Sequence, residues 1–334
     1  MSTINQPAWH LRAMADADFE GVVAVTEARM GRLKTATRMT QEAFREWWTE
    51  LEARRATNWR VAVDPAGRII GSASVDASTA PFVTNYGWAS VHPDHWACEE
   101  LWDALLSWAV ARAEADVGLA PAEAQVSLLS EALDVDLWRK AALGRAGFGL
   151  ARVFFRMHTD LDREPAEPRI PARVVVRKMD MERELRDVAV VHDEAFRDHW
   201  GHIAGEVDSF VEEWQKDIRG HRADLSYVAV ADGTLVGYAF CEDNFHTDTS
   251  VGRVAYLGIL PAYRRRGIAL ALLQTALRGF KTEGFRAARL GVDASSPTGA
   301  THLYEKAGMR AYEQVNRYEK ILRPGTDWLT RPGG

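Results

Sequence analysis

Apolar and polar positions alternate with a period of two through LSYVAVA and again through TLVGYAF, and Asp232-Gly233 stands between the two runs. That pattern predicts two antiparallel strands joined by a tight hairpin. RVAYLGIL follows as a third strand ending at Pro261, and from Leu270 to Phe280 the apolar residues return at helical spacing, with Gly284 beyond as a stop signal. ARLGVDA reads as the next strand, Gly299 to Ala307 as a helix ended by Gly308, and VNRYEKIL as a strand closing the sheet of its own half.

The same order occurs earlier in the chain. WHLRAMADAD matches VVVRKMDMER, WRVAVDPAGRIIGSAS matches YVAVADGTLVGYAF, WASVHP matches LGILP, and RAGFGLARVFFRMHTDL matches KAGMRAYEQVNRYEKIL. The anchors Arg12/Arg177, Gly71/Gly237, Pro93/Pro261 and Gly147/Gly308 keep one order and nearly one spacing, which identifies a tandem duplication. Each copy runs strand, two amphipathic helices, hairpin, third strand with a Pro turn, helix, strand, helix, strand. This is an α/β fold of the α+β mixed-sheet kind. Pro165, Pro168 and Pro171 disfavour helix and mark an extended linker over 165–171. The expected division is 1–164, linker 165–171, 172–325, and a tail at 326–334.

A length of 334 residues suits two ordinary domains, and 47% hydrophobic with 26% charged residues is a globular composition. The net charge of −6 carries no overall positive field, so nucleic acid and anionic membrane are not expected partners. The acidity is confined to residues 1–165, with 17 basic against 23 acidic side chains, whereas 166–334 balance at 24 each. Nine of the twelve Trp also lie in the first copy, where they serve its core or line a cleft for a cationic or aromatic ligand. Two cysteines, Cys98 and Cys241, are too few for a disulfide framework and point to a reducing, cytoplasmic setting. No signal peptide or membrane span is expected, since the longest apolar stretch, LWDALLSWAVARA, is short and broken by Asp103.

The chemistry concentrates in LGILPAYRRRGIALALL, where a strand ends and a basic, glycine-containing turn opens a helix. A helix N-terminus offers unpaired amides and partial positive charge; Gly267 and small Ala269 let a pyrophosphate approach them, and Arg264, Arg265 and Arg266 add charge. Arg264-x-x-Gly267-x-Ala269, together with SPTGATHLYEKAGM, resembles the paired motifs of the GNAT superfamily of acyl-CoA-dependent N-acetyltransferases over about 172–323. The tandem organisation is similar to that of mycothiol synthases.

The resemblance implies acetyl-CoA as acyl donor. Its pantetheine arm would dock on a splayed strand at Leu257, Ile259 and Leu260, its pyrophosphate on Arg264 and the loop of Arg265, Arg266, Gly267, Ile268, Ala269 and Leu270, and Ser296 would replace the family's usual Asn beside the arm. Tyr304 is implied as proton donor to the leaving thiolate. A strand Glu that serves as base in mycothiol synthase is replaced by Arg253, which argues against that activity and leaves Glu242, Asp243, His246 or a well-placed water as candidate bases. His199, Trp200 and His202 are candidates for the acceptor pocket; the spacing of His192, His199 and His202 does not suit a metal, and the family needs none. At the matching loop the first copy has Glu99 and Glu100 and no glycine, and Trp138 stands near the Tyr position, so this copy reads as degenerate. The expectation is an N-acetyltransferase that acetylates a primary amine of a small molecule by direct attack, as a monomer or homodimer. The alternatives are a non-catalytic acyl-CoA or amine binder and a protein or peptide N-acetyltransferase. Tyr304 favours an enzyme, and the missing strand carboxylate favours a binder.

Overall fold

The computed structural model describes residues 8–35, 41–50, 54–77, 80–203, 207–216, 222–244, 248–296 and 298–329. The chain forms two compact units, Met1–Val153 with Val315–Trp328, and Phe154–Gln314 with Leu329–Gly334.

The first half contains β1 (His10–Ala13), α1 (Phe19–Leu33), α2 (Gln41–Glu50), α3 (Arg55–Asn58), β2 (Trp59–Val63), β3 (Ile69–Ala77), β4 (Thr84–Val91), α4 (Glu99–Glu114), β5 (Val126–Leu133), α5 (Leu137–Arg145) and β6 (Gly149–Asp160). The second repeats it with β7 (Val174–Lys178), α6 (Met181–Phe196), α7 (Val207–Lys216), β8 (Tyr227–Ala231), β9 (Thr234–Asn244), β10 (Asp248–Ile259), α8 (Ile268–Thr282), β11 (Ala287–Asp293), α9 (Ala300–Lys306) and β12 (Arg310–Arg323).

In the first unit the strand order is β1-β2-β3-β4-β5-β12, and in the second β7-β8-β9-β10-β11-β6. The β4/β5 and β10/β11 pairs are parallel and the other pairs within each unit are antiparallel. The closing strands are therefore exchanged. VNRYEKIL was expected to close its own half, yet Val315–Arg323 pair with Leu133–Val126 of β5, while Ala287–Asp293 of β11 pair with Asp160–Phe154 of β6. The two terminal strands occupy matching places in the duplication, and the exchange gives each the edge that its counterpart would otherwise close.

Alternation along the strands divides each core into two layers. In the second unit Ala229, Ala239, Cys241, Val254 and Leu290 face α8 and α9, whereas Val228, Tyr238 and Phe240 face α6 and α7. The α8 stripe Ile268, Leu272, Leu273, Ala276, Leu277 and Phe280 is buried at helical spacing. Phe280 lies over Gly252, where a Cβ would fall 2.3 Å from the ring. The hairpin forms at Asp232 and Gly233 with φ of +49° and +83°, the left-handed pair of a type I′ turn. Gly284, at φ +84°, ends α8 as its sequence position implied.

Candidate active site

The central feature of the second unit is a fork. Val251, Gly252 and Arg253 of β10 pair with Ala287, Ala288 and Arg289 of β11, and the ladder ends there. Beyond it β10 stays paired with β9 through Ile259↔Gly237, and β11 stays paired with β6 through Asp293↔Phe154. A register shift between Val254 and Tyr256 puts a bulge in β10 just past the last shared pair, which turns the strand away from its parallel neighbour. Leu257 and Ile259, the expected arm-binding positions, lie on the diverging stretch, and Leu260 follows it. An open strand edge of this kind accepts an extended ligand as an added strand.

The basic loop stands at the end of the diverging strand. Gly267 adopts φ +86° and Arg265 φ +65°, so the loop needs two left-handed residues. A Cβ on Gly267 would meet only Pro171 Cγ, at 3.9 Å, so conformation and not crowding calls for glycine. The first bond of α8 runs from the Ala271 amide to the Gly267 carbonyl at 3.1 Å, which leaves the amides of Ile268, Ala269 and Leu270 ahead of the ladder. The three arginines separate in role. Arg265 is exposed and has no partner among the described residues. Arg266 folds back over the Tyr263 ring and donates to the Ala262 carbonyl at 2.9 Å. Arg264 is turned into the protein, where Nη2 donates to the Ala195 carbonyl at 2.8 Å and to Asp198 Oδ1 at 3.0 Å. Its guanidinium fixes the loop to the end of α6 and supplies no free charge to it.

Tyr304 projects from α9 into the α8-side core. Burial pushes its phenol up to about 12, and its hydroxyl has no partner among the described residues. A phenol in that state is protonated at neutral pH and free to donate. Ser296 hydrogen-bonds Thr298 Oγ1 at 2.9 Å within the turn before α9. Glu242 and Asp243 are successive residues of β9 and so lie on opposite faces. Glu242 is on the α6/α7 face, 2.9 Å from Arg253 Nη1, whereas Asp243 is on the α8 face and is not brought to Glu242's side of the fork. His246 lies outside the described residues.

The acceptor candidates also divide. His199 Nδ1 is 3.0 Å from Asp198 Oδ1, the carboxylate held by Arg264, and burial lowers its pKa against the pull of Asp198. Trp200 packs edge-on against Phe154, which pairs with Asp293 at the end of β11. These two side chains reach the open end of the fork. His202 turns inward to Asp193 Oδ1, 3.1 Å away, beside His192, whose imidazole is stacked on Phe196 and pushed down to about 3 by burial. Asp198 was not singled out from sequence, although its place beside His199 was a signal for an imidazole partner.

Residues 186–309 match the Acetyltransferase (GNAT) family. A GCN5-related N-acetyltransferase from Sphaerobacter thermophilus superposes with a TM-score of 0.82 over 96% of this chain and 98% of that one, at 24% identity. A tandem GNAT protein from the clavulanic acid biosynthesis pathway superposes with a TM-score of 0.66 over 95% and 100%, at 14% identity. The mycothiol acetyltransferase of Frankia casuarinae is 28% identical over 291 residues, 78% of this chain and 74% of that one. N-alpha-acetyltransferase 30 of Schizosaccharomyces pombe is 29% identical over 110 residues, 33% of this chain and 67% of that one. Residues 186–309 of the second unit thus carry a GNAT acetyltransferase domain, and the chain has the fold of tandem GNAT proteins.

In the first unit of this tandem GNAT fold the fork survives without its fittings. The β4/β5 ladder ends at Tyr86↔Leu129, but Ser130 Oγ donates to the Gly87 carbonyl at 2.7 Å and bridges the diverging strands. Arg139 is buried beside that bond, over the Trp88 ring. The α4 turn carries Glu99 and Glu100 behind Cys98, with no left-handed residue there. Trp138 was expected near the Tyr304 position. Counting back from the helix-ending Gly147 and Gly308 places Leu143 there instead, fully buried, with Trp138 on the surface. Among the described residues no cluster of metal-ligating side chains forms, and no helix is long and apolar enough to cross a membrane.

Proposed function

We propose that the second unit transfers the acetyl group of acetyl-CoA to the primary amine of a small molecule by direct attack. The observation that carries this reading is the β10/β11 fork, with the Gly267 loop at its open end and the unpartnered Tyr304 hydroxyl on a neighbouring helix. The diverging edge of β10 would hold the pantetheine arm, and the Ile268–Leu270 amides with Arg265 would hold the pyrophosphate. The amine nitrogen bonds to the thioester carbonyl carbon, the C–S bond breaks, and the thiolate takes its proton from Tyr304. The proton lost by the nitrogen passes to Glu242, which lies on the face opposite α8 in the last row before the fork, and returns through solvent to the phenolate. The first unit, its fork bridged by Ser130, acts as scaffold.

The test is release of coenzyme A thiol from acetyl-CoA with a panel of small amines and peptides, beside calorimetric titration of acetyl-CoA. Tyr304→Phe is expected to lower kcat about 10²-fold or more while leaving acetyl-CoA affinity within a factor of two. Equal loss of both, or no loss, refutes the leaving-group role. Turnover of peptides alone shifts the acceptor class to protein N-termini.

A further inference from the structure

The last row of the sheet before the fork carries an unusual set of side chains. Glu242, Arg253, Arg289 and His158 are directly opposite one another across β9, β10, β11 and β6. Side chains in one row share a face, and the row lies opposite Cys241, Val254, Leu290 and Met157, which are buried against α8 and α9. The four polar groups therefore stand on the α6/α7 face at the vertex where β10 and β11 part.

Two arginines side by side repel, and only one is neutralised. Arg253 is paired with Glu242 at 2.9 Å. Arg289 lies over the Tyr312 ring at 5.1 Å and directs Nε at His158 Nδ1, 3.5 Å away, while His158 Nε2 is 2.9 Å from Asp160. Among the described residues no carboxylate pairs with Arg289, and its two Nη groups have no partner. Next along β11 on the same face is Gly291, where an added Cβ would meet nothing within 4 Å. Asp293 lies four extended residues from Arg289, about 13 Å, beyond pairing distance. A half-buried guanidinium, held flat by an aromatic ring, with its outer fork empty and open space ahead of it, is a geometry for a planar oxyanion.

We propose that the acceptor is an amine that carries an anionic group, a carboxylate or a phosphate, bound by Arg289 beside the fork. This deepens the acetyl-transfer reading and rests on it. Arg289 is a specificity residue, with Tyr312 and His158 fixing its orientation.

The experiment compares matched amines with the full chain at saturating acetyl-CoA: glycine and glutamate against their amides, O-phosphoethanolamine against ethanolamine, and spermidine as a cation. The acidic member of at least one pair is expected to have a kcat/KM about ten- to a hundred-fold above its neutral partner, the range for one charge-assisted contact. Whether the carboxylate or the phosphate pair shows it identifies the group. Arg289→Gln should collapse that ratio through KM, whereas Arg286→Gln, just before β11 begins, should preserve it. A preference for neutral amines or spermidine, or a ratio unchanged in Arg289→Gln, overturns the proposal. Titration of N-acetylglycine against N-acetylglycinamide reads the same preference without turnover. Inactivity across the panel with acetyl-CoA still bound thus counts against transfer, while equal affinity for the two N-acetyl compounds counts against Arg289.

Discussion

Gly267→Ala isolates the phosphate loop with the smallest change available. The residue adopts φ +86°, and the added methyl would meet only Pro171 Cγ, at 3.9 Å, so the substitution brings no collision. What remains is the cost of holding an L-residue in the left-handed region, about 1–2 kcal/mol. The protein can meet that cost in two ways. If the loop keeps its shape, the cost appears as lost folding stability. If it relaxes, acetyl-CoA must restore the shape on binding, and affinity falls by the same free energy, about five- to thirty-fold. Calorimetric titration and denaturant unfolding of the same variant measure both shares, and together they should reach about 1–2 kcal/mol. Asn tolerates this conformation better than Ala, so Gly267→Asn should recover part of the loss despite its larger side chain. A Gly267→Ala variant unchanged in both measurements would show that the left-handed turn plays no part in donor binding, and Asn worse than Ala would show that space and not conformation decides.

Two stability predictions follow from buried groups. His192 is held far below its ordinary pKa, to about 3, by burial, so below pH 6.5 the unfolded chain binds a proton that the folded chain refuses. Stability should fall with pH between about 6.5 and 3, by up to about 1.4 kcal/mol per unit, and denaturant midpoints at pH 7 and 5 should show a shallower fall in His192→Gln; parallel curves would remove His192 as the cause. Gly252→Ala would drive a methyl to 2.3 Å from the buried Phe280 ring and should cost about 1–3 kcal/mol, whereas Gly291→Ala, which opens onto empty space, should leave the urea midpoint nearly unchanged.

The fold was legible where local chemistry decides it. Asp232-Gly233 specifies its turn by its own backbone preferences, and the apolar spacing of α8 needs one buried face whatever lies beneath it. The donor loop was legible for the same reason, since Gly267 answers a local need for positive φ. What escaped depends on partners remote in sequence. The exchange of β6 and β12 pairs each with a strand of the other half. Arg264 reads as a phosphate ligand until Asp198, 66 residues earlier, is seen holding it. Glu242 and Asp243 look alike as bases in sequence, and only the register of β9 against β10 puts one beside Arg253 and the other on the opposite face.

The duplication supplies an internal control for the row at the fork. In the first unit the corresponding row reads Asp76, Tyr86, Leu129 and Glu319, paired across β3, β4, β5 and β12 as Glu242, Arg253, Arg289 and His158 are paired in the second. One register further, Glu131 stands opposite Arg317 and forms an ion pair with it, where the second unit has Gly291 opposite Arg156. Both units keep the ladder, the parallel pair and its early end, so the fold requires none of these side chains. The unit without the glycine loop has no arginine at either central position, has a carboxylate where the second unit leaves open space, and has Ser130 tying the strands together. Donor-side and acceptor-side features are thus absent together from one copy and present together in the other, as expected if Arg289 belongs to the reaction and not to the scaffold.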